Sequence, residues 1–221
     1  MDDVPALLAH LRSCRNDRNI ASQRRFGVTP RTEQLGIPIP VLRRLARPLR
    51  RRHDLALALW EQPVHEARLL AAFVEDPARV TVRQMGAWVR AFDSWDVCDQ
   101  VCGKVFDRTP YAVARPHLWS RRREEFVKRA GFVLMASLAV HRKELPDAVF
   151  LDFLPVIARE SDDERNYVKK AVNWALRQIG KRNPRLRRAA IAEARRIQKL
   201  DSRTARWIAA DALRELQPAN R

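Results

Sequence analysis

The sequence predicts an all-α fold, and three observations support that prediction. Apolar residues recur at helical spacing along almost the whole chain, and we find no convincing segment with the period of two that is typical of strands. Glycine is scarce, with 6 among 221 residues, which disfavours a protein rich in tight hairpins. Many prolines stand near a proposed helix start or break, where the missing N–H is harmless.

The apolar periodicity predicts twelve short helices. They span residues 2–16, 40–51, 54–62, 64–76, 81–91, 94–106, 111–119, 122–140, 146–158, 163–179, 184–199 and 202–216. Residues 17–39 contain two glycines and two prolines, and we expect an ordered loop or a short-helix region there. Gly180 follows the last apolar position of the 163–179 helix, where a C-terminal cap is expected.

Short helices with tight connections predict antiparallel helix pairs that pack side by side. Each pair spans about 35–45 residues, the range of HEAT and armadillo units. No residue pattern repeats strictly, so only the spacing of the helices indicates a repeat, and a compact irregular bundle is the alternative. Because no Pro/Ser/Gly-rich linker divides the chain, residues 1–221 are predicted to form a single domain.

The chain is strongly basic. It has 43 Lys and Arg residues against 26 Asp and Glu residues, and its formal net charge is +17. Self-repulsion of that size opposes compaction, so we expect a polyanionic partner. Nucleic acid is the first candidate and an anionic membrane surface the second. No apolar run approaches the ~18 residues that a membrane span needs.

Cysteine usage and the first residues indicate a reducing compartment. The three cysteines, Cys14, Cys98 and Cys102, are an odd number without a disulfide framework. Residues 1–5 are acidic, whereas a signal peptide begins with a basic region. We therefore expect a soluble protein of the bacterial cytoplasm or nucleoid.

The segment 164–181 combines a complete core face with an opposite face of aromatic and basic residues. The core face consists of Val168, Val172, Ala175, Leu176 and Ile179, and the opposite face of Tyr167, Lys170, Trp174, Arg177 and Lys181. On a polyanion, the cations would meet phosphates while the indole packs on sugar or base. The alternative is that Trp174 packs on a neighbouring repeat and that the cations are only solvated.

The segment 92–103 contains a tryptophan and an aspartate one helical turn apart. Asp93 or Ser94 can cap the helix start, and Asp96 in the first turn suits the helix dipole. Asp99 has no capping role and no cation at i+4, and it lies next to Trp95 at i and i+4. A carboxylate without a structural reason beside an indole is a candidate functional group. The alternative is a core tryptophan and a surface aspartate.

Several kinds of site are missing from the sequence. There is no CxxC pair, HExxH motif or His-rich tract for a metal, and no glycine-rich loop for a nucleotide. No serine or cysteine stands in a recognisable nucleophile motif. We therefore expect no metal and no cofactor, and chemistry that depends on a carboxylate, aromatic rings and cations.

These segments resemble a known family. The chain is similar to the HEAT-like DNA alkylation repair glycosylases, the AlkD-type family. The matching segments are 35–43, 59–60, 65–68, 94–99 and 168–181, of which the W-x-x-x-D arrangement and the W-A-L-R helix are the most specific. The resemblance implies a HEAT-like stack whose basic concave face holds duplex DNA. It also implies cleavage of the N-glycosidic bond of cationic N3- or N7-alkylated purines.

The resemblance also implies roles for individual residues. Asp99 matches the catalytic carboxylate, and Trp95 and Trp174 match the two tryptophans that pack against the deoxyribose of the lesion. Arg129 matches an arginine that contacts the DNA backbone, and Phe26 a further aromatic residue. The chain departs from the family at Phe126, where tryptophan is usual.

The expected partner is double-stranded DNA that carries alkylated purines. We expect a monomer that needs no obligate protein partner and no membrane. The main alternative is a non-catalytic member of the same superfamily that binds altered or branched DNA structures. A HEAT-like protein-interaction scaffold is the third possibility, and it would have an acidic protein partner.

Overall fold

The computed structural model describes residues 3–217, and within that range the secondary structure is helical. Its α-helices are α1 (Val4–Ser13), α2 (Asp17–Arg25), α3 (Ile39–Ala46), α4 (His53–Trp60), α5 (His65–Val74), α6 (Val82–Arg90), α7 (Trp95–Lys104), α8 (Arg115–Trp119), α9 (Glu125–His141), α10 (Asp147–Arg159), α11 (Asn166–Lys181), α12 (Pro184–Ile197) and α13 (Arg203–Leu216). Two single-turn 3₁₀ helices lie at Arg47–Leu49 and Phe106–Arg108. The all-α prediction is confirmed over the described residues.

The helix bounds follow the apolar periodicity, with two differences near the breaks. Residues 17–39 contain α2, which begins because the Asn16 side chain accepts the N–H of Asn19 at 3.0 Å. The predicted helix at 111–119 forms only over Arg115–Trp119, where Pro116 occupies the first turn. Both differences concern caps and prolines, which decide where a helix starts more sharply than an apolar stripe does.

Gly180 is not a helix cap, and that prediction is wrong. α11 continues through Gly180 to Lys181, and Gly180 is buried. A Cβ atom at this position would lie 2.5 Å from Leu216 Cδ1 and 3.0 Å from Ala190 Cβ. Glycine is therefore needed because α12 and α13 pack closely against α11 at this point.

The described residues divide into two compact units, within Met1–Thr109 and Pro110–Arg221. In the first unit, α5 packs against α3, α4 and α7, so that α3, α5 and α7 form a row. The indoles of Trp60 and Trp88 stack in its core, with ring centroids 4.1 Å apart and planes 8° apart. The prediction of a single domain over 1–221 stays a prediction.

In the second unit, α9, α11 and α13 form a row of parallel helices. Arg129 of α9 bonds to the backbone of Tyr167, and Asn173 of α11 bonds to Asp211 of α13, so residues 38 positions apart are neighbours. Lys169 of α11 and Trp207 of α13, which are also 38 positions apart, are in contact one helical turn earlier. α10 packs against α12, which in turn packs against α11 and α13. An offset of this size is typical of HEAT-like helical pairs.

No helix within residues 3–217 combines the length and the apolar character that crossing a membrane requires.

Candidate active site

Three acidic residues lie in α7 or just before it, and the contacts of Asp93 and Asp96 attach the helix to neighbouring segments. Ser94 is the N-cap residue, but its hydroxyl bonds to the Asp96 carboxylate instead of a free amide of the helix. Asp93 accepts the N–H of Arg31 at 3.0 Å and lies 3.7 Å from the Arg68 guanidinium. The predicted cap position is therefore correct, whereas the predicted capping bond does not form.

Asp96 forms a buried ion pair with His65, the first residue of α5. The distance between His65 Nε2 and Asp96 Oδ2 is 2.9 Å, and the two side chains are 1% and 13% exposed. Burial alone would lower the pKa of His65, but the hydrogen bond and charge of Asp96 raise it above 6.5. Burial would likewise raise the pKa of Asp96, but His65 and Ser94 lower it below 3.8. The charged pair therefore attaches the start of α7 to α5.

The structure brings together two of the predicted site residues, Trp95 and Phe26. Phe26 follows α2, and its carbonyl oxygen accepts the Trp95 Nε1–H at 3.1 Å. The Phe26 side chain is 75% exposed, whereas the Trp95 indole is half-buried. An exposed aromatic side chain on the residue that binds the Trp95 indole through its backbone is suited to contact a flat or apolar part of a ligand.

Asp99 lies one turn after Trp95 on α7 and is half-buried. The apolar stripe below it is buried as predicted and consists of Val97, Cys98, Val101 and Val105. Burial raises the pKa of the Cys102 thiol well above 9.0, with contributions from Cys98 and the charge of Asp99. Cys102 is therefore a protonated core residue, whereas Asp99 on the same helix is partly accessible.

The predicted core face of α11 is confirmed, since Val168, Val172, Ala175, Leu176 and Ile179 are all buried. On the other face, Trp174 and Tyr167 are half-buried, and Lys170 is exposed. The Tyr167 ring lies 5.5 Å from the ring of Phe126, between centroids. Tyr167 thus packs partly on α9, and both aromatic residues of this face keep part of their surface accessible.

Two of the predicted DNA-binding cations are paired with carboxylates of α13. Arg177 Nη1 lies 3.3 Å from Asp211 Oδ2 and 2.7 Å from Glu215 Oε2. The Lys181 ammonium also pairs with Glu215. These side chains are 15% to 40% exposed, so the charge of Arg177 and Lys181 is compensated near the surface.

Arg129 is buried and forms a bond within the protein. It is 6% exposed, and its Nη1 donates to the carbonyl oxygen of Tyr167 at 2.6 Å. Nearby, Lys128 pairs with Asp163 at 2.8 Å just before α11. Burial would raise the pKa of Asp163, but hydrogen bonds from Arg165 and Lys128 lower it to about 2. The start of α11 is therefore fixed to α9 by buried charges.

A match to a family model identifies the class of this chain. The model for the DNA alkylation repair enzyme matches residues 7–216. The chain belongs to the DNA alkylation repair enzyme family. The resemblance recognised in the sequence is thus confirmed.

A solved structure confirms the HEAT-like fold of this family member. It represents a family of proteins related to the HEAT-like repeat DNA glycosylases with affinity for branched DNA structures. The TM-score is 0.79 at 15% sequence identity, and the match covers 97% of this chain and 96% of that chain. A comparison with curated proteins finds no match.

Sequence reasoning missed the buried residues that support the site in this family member. His65 and Glu66 open α5, and both are buried. Glu66 accepts three backbone N–H groups, those of Leu35, Gly36 and Ile37, at 2.7 to 3.3 Å. The available signal was two polar residues at the start of an otherwise apolar helix, within the matching segment 65–68. Among the described residues, no group of three His, Cys, Asp or Glu side chains is placed to hold a metal ion.

Proposed function

We propose that this protein is a DNA glycosylase of base excision repair that hydrolyses the N-glycosidic bond of cationic N3- or N7-alkylated purines in duplex DNA. The observation that carries the proposal is the placement of Asp99 one turn from Trp95 on α7. The Trp95 indole also bonds to the loop that bears the exposed Phe26. Membership of the DNA alkylation repair enzyme family supports the same conclusion.

The chemistry of a cationic base suits a site with a single carboxylate. When the bond between C1′ and the purine nitrogen breaks, its electron pair goes to the base and neutralises the positive charge. The base therefore leaves without a general acid, whereas glycosidases with neutral leaving groups usually need two carboxyl groups. Water then adds to C1′ and loses a proton.

In this proposal Asp99 acts on the sugar. Its carboxylate stabilises the positive charge that develops on the deoxyribose and orients the attacking water. Trp95 supplies an aromatic face to the same charge, worth about 1–2 kcal/mol when water is excluded. The family resemblance implies the same role for Trp174. We further propose that the protein acts as a monomer and that Phe26, Tyr167 and Lys170 contribute to DNA binding. The buried Arg129 would contribute by holding Tyr167 through its bond to the Tyr167 carbonyl oxygen.

The test is Asp99→Asn. We expect release of 7-methylguanine or 3-methyladenine to be slower by about 100-fold or more, because an electrostatic stabiliser of the transition state is lost. Single-turnover base release from methylated duplex DNA in the presence of EDTA measures the rate, and binding to undamaged duplex is expected to be retained. Asp54→Asn is the matched control, since this aspartate is exposed on α4 and pairs with Arg79. Equal rates for wild type and Asp99→Asn would refute the role of Asp99.

A second substrate tests the proposal that the site works without a general acid. Uracil is a neutral base, so its release needs protonation that this site is not proposed to provide. We expect slow or undetectable uracil release by the wild-type protein. Efficient release would show that another acid takes part.

A second candidate function is non-catalytic binding of branched DNA, because the similar solved structure represents a family with affinity for such structures. It predicts tighter binding to a DNA junction than to methylated duplex, and no base release. The same assay, with a junction added as a competitor, separates the two functions.

A further inference from the structure

A cleft of about 750 Å³ lies in the first unit, away from Trp95 along α7. Its lining combines side chains of α3, α5 and the end of α7 with the loops between them. Five of the lining residues are cations, namely Arg43, Arg50, Arg51, Lys104 and Arg108, and two are carboxylates, Glu75 and Asp76. The proposed chemistry at Asp99 does not use this cleft.

The two carboxylates do not neutralise the cations. Glu75 is buried, and its oxygens are occupied by His53 Nδ1 at 2.7 Å and Gln84 Nε2 at 2.6 Å. Asp76 accepts the N–H of Ala78 at 3.2 Å. Among the described residues, no carboxylate comes within 4.0 Å of the charged nitrogens of four of the cations, which are Arg43, Arg50, Arg51 and Lys104. The cleft therefore carries uncompensated positive charge.

Lys104 shows the cost of this arrangement. Burial lowers the pKa of the half-buried Lys104 ammonium, and the neighbouring charges of Arg43 and Arg108 lower it further, whereas the charge of Asp107 raises it. Lys104 is therefore partly desolvated and lies close to two other cations. An anion in the cleft would offset these costs by its attraction to the cations.

Two further features indicate a prepared binding surface. Arg43 is held in place, since its guanidinium lies 5.6 Å from the centroid of the Phe73 ring and donates to Gln100 Oε1 at 3.2 Å. Arg51 has a φ of 61°, a left-handed backbone that costs free energy for any residue except glycine. A strained backbone of this kind is often found at binding sites.

We propose that this cleft binds a backbone phosphate of duplex DNA at a short distance from the damaged nucleotide. The inference rests on the proposed function, because Asp99 and Lys104 lie on the same helix. Five residues along α7 correspond to about 7.5 Å, or roughly two base-pair steps at 3.4 Å each. A volume of about 750 Å³ exceeds what one small anion fills, and the chain's +17 charge favours a polyanion.

The experiment compares two double variants that remove the same charge. Lys104→Gln with Arg108→Gln alters the cleft. Arg83→Gln with Arg90→Gln is the control, because both arginines are exposed on α6 in the same unit and neither has a carboxylate partner in the described part of the chain. Fluorescence anisotropy with an undamaged duplex gives the affinity over a range of salt concentrations. This measurement needs no base release, so failure of the cleft and failure of the glycosylase proposal are distinguishable.

The expected result follows from counterion release. Loss of the one phosphate contact lowers the salt slope by about 0.9. Between about 50 and 200 mM salt, the affinity of the cleft variant should therefore fall roughly 3.5-fold less than that of wild type. The control should keep the wild-type slope. An equal decrease in both variants would overturn the proposal, because it would indicate a uniform field and no specific contact.

Two additional measurements complete the test. A thermal-shift titration with pyrophosphate distinguishes a site for free anions from a site for DNA phosphates. If the cleft variant lost pyrophosphate binding and kept wild-type DNA binding, the proposal would be overturned. Arg50→Gln with Arg51→Gly is a second cleft variant, since both residues are exposed and glycine suits the left-handed backbone. This variant should fold normally and show the same reduced slope, and an unchanged slope would again contradict the proposal.

Discussion

The helices α7 and α11 carry most of the candidate site residues. They differ in whether their ion pairs are formed by the candidate residues or by a neighbouring residue. On α7, the ion pair to His65 involves Asp96, a neighbour of the candidate residues, and it is buried. On α11, the ion pairs involve the candidates Arg177 and Lys181 themselves, and they are partly exposed. A buried pair fixes geometry and is hardly screened by salt, whereas a surface pair is weak and can be exchanged for a phosphate.

The largest effect is expected from breaking the buried pair in the first unit. His65→Leu leaves Asp96 without its partner, and we expect the free energy of unfolding to fall by about 3 kcal/mol. His117→Leu is the matched control in the second unit, because His117 lies 3.1 Å from Asp152 with side chains 35% and 72% exposed. There the expected loss is below about 1 kcal/mol. Urea denaturation of both variants measures the difference, and equal losses would contradict it.

The pH dependence of the same variant provides an internal check. The pKa of His65 is raised, so its contribution is complete below pH 6.5 and is lost as the pH rises through the folded-state pKa. The pKa of Asp96 is lowered, so its contribution is present above pH 3.8 and is lost as the pH falls through the lower folded-state value. The stability difference between wild type and His65→Leu should therefore be greatest between pH 3.8 and pH 6.5.

A smaller effect is expected from the cations of α11. Lys170 is exposed and has no carboxylate within 4.0 Å in the described range, so Lys170→Gln should lower the salt slope of DNA binding by about 0.9. Arg177→Gln should lower it less, because Asp211 and Glu215 already compensate that charge. Anisotropy with undamaged duplex measures both slopes. A larger decrease for Arg177→Gln would show that its ion pairs open fully on DNA.

The smallest effect is expected when the α13 carboxylates are neutralised. Asp211→Asn with Glu215→Gln leaves Arg177 and Lys181 available to phosphates, and the salt slope should become steeper by less than about 0.9. Asp152→Asn with Asp162→Asn makes the same charge change at exposed positions of the second unit and serves as the control. If the control steepens the slope equally, the effect arises from net charge alone.

Much of the fold could be predicted because its signals are local. The stripe from Val168 to Ile179 repeats within one helix, and an apolar residue every three or four positions is visible in any short window. The position of Ser94 at the start of α7 was predictable for the same reason. Gly180 was interpreted wrongly because its contacts to Leu216 and Ala190 depend on residues far away in the sequence.

The sequence allowed the residue types of the candidate site to be predicted, but fewer of the contacts that these residues make. The spacing of Trp95 and Asp99 is visible in the sequence, as is the cationic face of α11. The pairing of Arg177 with Asp211 is not, since the two residues are 34 positions apart and only the parallel packing of α11 and α13 joins them. Burial of Arg129 and the charged cleft around Lys104 likewise depend on several elements at once.

The carboxylate of Glu66 has a consequence for the irregular segment between α2 and α3. Three successive amides, of Leu35, Gly36 and Ile37, converge on this buried side chain as they would on a bound anion. The Glu66 carboxylate thus occupies the position that a bound anion would take. Its hydrogen bonds hold this segment, which forms neither a helix nor a strand. Phe26 stands at the other end of the same segment, where its carbonyl oxygen accepts the Trp95 Nε1–H. The segment fixed by Glu66 therefore also carries a backbone contact to the candidate site.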